Sequence, residues 1–73
     1  MTPDFILERL EVIGGSAYER ETGNETLDRM IDYLASHKAG NEESMRIALG
    51  RWVSDRAEPK ATFAKIILKK LSL

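Results

Sequence analysis

The stretch Met45-Arg46-Ile47-Ala48-Leu49-Gly50-Arg51-Trp52-Val53-Ser54-Asp55-Arg56-Ala57-Glu58-Pro59-Lys60-Ala61-Thr62-Phe63-Ala64-Lys65-Ile66-Ile67-Leu68-Lys69-Lys70-Leu71 decides the fold class. In its first part Met45, Ala48, Leu49, Trp52 and Val53 recur at the spacing of one helix face. Trp52 shares that face with Leu49 and Val53, so it is expected in the core. Asn41 is expected to cap this helix, and Glu42 and Glu43 suit the positive end of its dipole. Ala57-Glu58-Pro59-Lys60 reads as a loop, because proline disfavours helix at the residue before it. Thr62 is then expected to cap a last helix in which Phe63, Ala64, Ile66, Ile67, Leu68 and Leu71 face inward. Lys69 and Lys70 close that helix against the negative end of its dipole.

Toward the N-terminus the same grammar continues. Thr2-Pro3-Asp4 is a helix start: a hydroxyl cap, proline at the first helical position and an acid in the first turn. Phe5, Ile6, Leu7, Leu10, Val12 and Ile13 cover an unusually wide arc of the first helix, which Gly14-Gly15 is expected to stop. Ser16-Ala17-Tyr18-Glu19 reads as a capping box opening a short second helix that Gly23 ends. Asn24 is expected to cap the third helix, with Leu27, Met30, Ile31 and Leu34 inward and Gly40 beyond its end. No segment alternates with the period of a strand. The chain therefore reads as all-α, a compact bundle of five short helices forming one interaction domain over residues 1–73.

Composition narrows the function. With 73 residues there is room for one core, and 42% hydrophobic with 32% charged residues is a globular balance. A net charge of −1 argues against nucleic-acid binding through a basic surface. The absence of cysteine excludes disulfides and thiolate metal sites and suits a reducing compartment. The apolar runs are too short to span a bilayer, and Met1-Thr2-Pro3-Asp4 lacks the basic start of a signal peptide. The expectation is a cytoplasmic protein whose partner is another protein, with neither nucleic acid nor membrane.

No residue constellation calls for catalysis, a cofactor or a metal. His37 is the single histidine, placed where a helix C-terminus welcomes a cation, and nothing converges on it. Ser16 lacks a nucleophile elbow, and Gly14-Gly15-Ser16 lacks the Gly-Lys-Ser/Thr of a phosphate loop. Asn24-Glu25-Thr26 fits a glycosylation sequon but reads better as a helix start. An enzyme is not expected.

The charges are more informative. Asp28 and Asp32, four apart, put two carboxylates on one helix face with Glu25 nearby, which costs a few tenths of a kcal/mol in mutual repulsion. Lys65 and Lys69 form a matching basic stripe on the last helix, extended by Arg56 and Lys60. Ile47 falls opposite its helix's apolar stripe, beside Arg51 and Ser54, and Tyr33 lies off the apolar face of its own. Glu25, Asp28, Asp32, Tyr33, Ile47, Arg51, Arg56, Lys60, Lys65 and Lys69 are therefore the candidate protein-interface residues.

Ala48-Leu49-Gly50-Arg51-Trp52, the loop after it, the Ala61-Thr62 pair and Ile66, Ile67 and Leu71 together resemble the death domain, a helical interaction module. Met30-Ile31-Asp32-Tyr33 and Asn41-Glu42-Glu43 are similar to that family's third helix and the loop beyond it. The second helix departs from the pattern at Glu21 and Thr22, and no sixth helix follows Leu73. The resemblance implies homotypic assembly in cytoplasmic signalling of the apoptosis or innate-immunity type. It also implies asymmetric contacts through the third-helix charges, the middle of the fourth helix and the loop from Arg56 to Lys60. Without a sixth helix, Leu7, Val12, Leu68 and Leu73 are expected to be partly uncovered and to favour self-association. The alternatives are a helix-turn-helix DNA-binding regulator built on the second and third helices, and an unrelated or designed helical bundle. Against DNA binding, Asp28 and Asp32 on the would-be recognition helix repel phosphate.

Overall fold

The computed structural model describes residues 2–18 and 23–73. Over them the chain is all-helical, with four helices and no strand: α1 (Pro3–Tyr18), α2 (Gly23–Ser36), α3 (Glu42–Asp55) and α4 (Lys60–Lys70). α3 packs against α4, α1 lies across α2 and α3, and α2 also touches α4.

α1 begins as its sequence dictates. The Thr2 hydroxyl accepts a hydrogen bond from the Phe5 amide at 3.2 Å, and Pro3 opens the helix. The expected stop at Gly14-Gly15 does not occur; both residues lie inside α1. Packing overrides the local signal. Gly14 is buried, and a Cβ there would meet Met30 Cε at 2.6 Å, Trp52 Cη2 at 3.7 Å and Lys60 Cε at 3.8 Å. The glycine thus lets the helix continue where neighbours from α2, α3 and α4 press closest. Ser16 accordingly caps nothing: its hydroxyl donates to the Val12 carbonyl at 2.9 Å, as serines inside helices do. The separate second helix expected from Ser16, and with it the count of five, is corrected to four helices among the described residues. Glu19, Glu21 and Thr22 lie outside them.

Three expected caps are also corrected. α2 opens at Gly23, so Asn24 sits within its first turn. Asn41 does occupy the position before α3, but its side chain turns backward, donating to the carbonyls of His37 at 3.0 Å and Ala39 at 3.4 Å. It closes the end of α2 and not the start of α3. Gly40 makes this reversal possible with φ +77° inside a turn closed by the Asn41 amide on the Lys38 carbonyl at 2.9 Å. α4 starts at Lys60, before Thr62. There the Glu58 carboxylate acts as the cap, taking hydrogen bonds from both the Thr62 amide and the Thr62 hydroxyl.

α4 ends in a Schellman motif. The Leu73 amide donates to the Leu68 carbonyl at 2.9 Å, and the Ser72 amide to that of Lys69 at 3.2 Å. Ser72 holds the left-handed conformation, φ 57°, that the motif demands. Lys38 reaches across from the end of α2 to donate to the Leu71 carbonyl at 2.6 Å.

One core joins all four helices. Ile6 and Leu10 of α1, Met30 and Leu34 of α2, Met45, Ala48, Leu49 and Trp52 of α3, and Phe63, Ala64 and Ile67 of α4 are buried together with Leu71. Trp52 is the largest fully buried side chain, as the helix spacing predicts. Of the four residues expected to be partly uncovered, Val12 stands exposed, while Leu7, Leu68 and Leu73 are half-buried and packed onto this core.

Candidate functional site

The helices sort the candidate residues into surfaces. Asp28 and Asp32 project from the side of α2 opposite Met30 and Leu34, and both are exposed. Lys65 and Lys69 project likewise from α4, opposite Phe63 and Ile67. None of these four side chains makes an ion pair among the described residues. Glu25, next to the acidic pair, is exposed but engaged within the fold.

The other candidate cations are occupied. Arg51 pairs with Asp4 of α1 at 3.1 Å, a link whose two ends are largely in solvent and therefore weak. Arg56 pairs with Glu11, again tying the α3 side to α1, in a more sheltered position. Lys60 holds its ammonium 5.5 Å from the centre of the Trp52 ring. These two pairs, Arg51–Asp4 and Arg56–Glu11, escape a reading of separate helices because their partners are remote in sequence. Asp4 and Glu11 are seven apart and so share one side of α1, which was the available clue.

Arg56 and Lys60 also line a cavity of about 330 Å³ with Gly14, Ala57, Glu58, Pro59 and Phe63. Its position between α1 and the loop joining α3 to α4 makes that loop a shaped surface. The Glu58–Pro59 peptide bond within it is cis.

The apolar candidates divide. Ile47 is 40% exposed on the back of α3, as its position opposite the stripe suggests. Tyr33 is half-buried: its ring packs on the core and lies 4.6 Å from the ring of His37. Its hydroxyl is buried and finds no hydrogen-bond partner among the described residues, a state shared by the Trp52 Nε1. Phe5, 45% exposed, is a surface residue that the wide apolar arc of α1 had concealed; with Val12, 52% exposed, it leaves an apolar line on the outside of that helix.

His37 donates or accepts only locally, its Nδ1 lying 2.9 Å from the Tyr33 carbonyl and 3.2 Å from the Ser36 hydroxyl. Among the described residues no three His, Asp or Glu side chains are grouped to hold a metal. Nor is any helix among them long and apolar enough to cross a membrane. Thr26, the hydroxyl of the sequon, is fully buried in α2. Residues 16–18, expected to open the helix that would cross the backbone in a DNA-binding arrangement, continue α1 instead. Compared with known proteins, the chain matches no family model, no curated sequence and no solved structure.

Proposed function

We propose that this chain is a protein-interaction module that assembles head to tail with like helical domains, the acidic face of α2 on one molecule meeting the basic face of α4 on the next. The observation that carries the proposal is the pair of exposed charge stripes, Asp28 with Asp32 and Lys65 with Lys69, on separate helices and without ion pairs among the described residues. Two different complementary patches on one molecule make a heterologous contact, which propagates into rings or filaments. Like charges held four apart weaken α2 slightly, and an opposing basic surface relieves that repulsion. A death-fold arrangement and a role in cytoplasmic signalling belong to the same proposal. They are supported by the pattern from Met45 to Leu71, the buried Trp52 within it, and the shaped loop between Arg56 and Lys60.

The test is light scattering or sedimentation over a concentration series at low and high salt. Asp28→Lys with Asp32→Lys reverses one patch, and Lys65→Glu with Lys69→Glu reverses the other. Each double variant alone is expected to stay small, because its α2 and α4 faces then carry the same sign, while in their equimolar mixture both contacts are again complementary and the two variants assemble in alternation. Added salt dissolves the assemblies of the unaltered chain. Association indifferent to salt and to both variants defeats the proposal.

A further inference from the structure

The outward side of α1 has a pattern that the head-to-tail contact does not use. Phe5 and Val12, the two most exposed large apolar residues among those described, are seven apart, so they lie within about 20° of each other around the helix. Glu8 flanks this line on one side by about 60° and Arg9 on the other by about 40°. Both are exposed, and neither makes an ion pair among the described residues. Asp4 and Glu11, by contrast, turn toward α3 and are held by Arg51 and Arg56. α1 therefore presents a short apolar seam bordered by one acid and one base that carry no ion pair among the described residues.

We infer that this seam binds a second copy of the chain through a symmetric α1–α1 contact with the two helices parallel. The direction follows from the charges. A two-fold axis running along parallel helices sets the Glu8 side of one against the Arg9 side of the other at nearly the same height. The two-fold of an antiparallel pair sets the Glu8 sides together and the Arg9 sides together, like against like. The parallel arrangement gives two Glu8–Arg9 pairs and brings Phe5 against Phe5 and Val12 against Val12 of the second copy. The core-facing residues Ile6 and Leu10 point the other way, so the two domain bodies sit on opposite sides of the seam and do not collide. With only two apolar residues per copy the contact is a weak one, suited to chains already concentrated by other interactions.

The chain has no cysteine of its own, which makes cross-linking decisive. Val12→Cys alone is expected to form a disulfide-linked dimer under mild oxidation, because residue 12 meets its own copy. So is Phe5→Cys alone. A mixture that links position 5 only to position 12 overturns the parallel arrangement. In sedimentation at concentrations up to high micromolar, Glu8→Arg or Arg9→Glu should weaken the dimer about tenfold, since each change is counted twice across the two-fold. The combined swap Glu8→Arg with Arg9→Glu should restore it. Phe5→Ser with Val12→Ser should abolish it with the helical circular dichroism unchanged. These effects persist in the α2 charge-reversed background, which separates this contact from the head-to-tail one. A chain that stays monomeric there when α2 is reversed, or a dimer blind to the charge swaps, refutes the inference.

Discussion

The terminal methyl of Met30 fills the space that a side chain at residue 14 needs: an ideal Cβ on Gly14 comes within 2.6 Å of Met30 Cε. Gly15, the next residue, has nothing within 4 Å of the same position. Adjacent glycines in one helix therefore carry opposite meanings. Gly15→Ala is expected to stabilise the domain by up to about 1 kcal/mol, the usual gain over glycine inside a helix. Gly14→Ala should fall within about 1 kcal/mol of the unaltered chain, because the flexible Met30 methyl must swing aside and consumes the gain. Gly14→Val should cost about 1–3 kcal/mol. Urea melts of the three variants decide it; a stabilised Gly14→Val disproves the close packing.

Trp52→Ala removes the largest side chain of the core and is expected to cost about 3–5 kcal/mol. That rivals the whole stability of a domain this small, so far-UV circular dichroism should show the variant largely unfolded at room temperature. A melting temperature near that of the unaltered chain contradicts the burial of the indole.

Tyr33→Phe deletes a buried hydroxyl without a hydrogen-bond partner among the described residues and keeps the ring that packs on the core. Removing an unsatisfied polar group at constant shape is neutral to favourable, here by up to about 1 kcal/mol. In a domain of this length that corresponds to a rise of roughly 4–8 °C at most in Tm, measured by thermal melting. A clear fall in Tm places the hydroxyl in a hydrogen bond.

Ser72→Gly places the residue best suited to positive φ at the left-handed position of the α4 terminus. The expected gain is about 0.5–1 kcal/mol, since serine is strained where glycine is not. Ser72→Val, whose branched side chain tolerates that conformation least, should lose stability instead. Equal melts for the two variants rule out the Schellman geometry.

Periodic apolar spacing made most of this fold legible. The inward faces of α2, α3 and α4 follow from Met30 and Leu34, from Met45, Leu49 and Trp52, and from Phe63 and Ile67, because a helix has one covered side and these residues mark it. Chain punctuation was less legible. Gly14-Gly15 carries the local signature of a stop, and only the approach of Met30 and Trp52 from other helices gives it another meaning. Asn41 and Glu58 show the same limit at caps: which end a polar side chain serves depends on where the chain turns. Among the candidate interface residues, exposure of Asp28, Asp32, Lys65 and Lys69 followed from their positions opposite the apolar stripes. The engagement of Arg51 and Arg56 did not, since Asp4 and Glu11 are brought to them only by tertiary packing.

The buried Trp52 also turns the molecule into its own fluorometer. It is the single tryptophan, enclosed by the core, with Gly14 of α1 against the far edge of its ring and the Lys60 ammonium above it. Emission from so dry a setting is blue-shifted, and acrylamide reaches the indole only when the bundle opens. Because Lys60 lines the cavity, an occupant that displaces its ammonium from the ring is expected to change the quantum yield. Such a displacement would be read from intensity alone, with no label attached and no second indole to subtract.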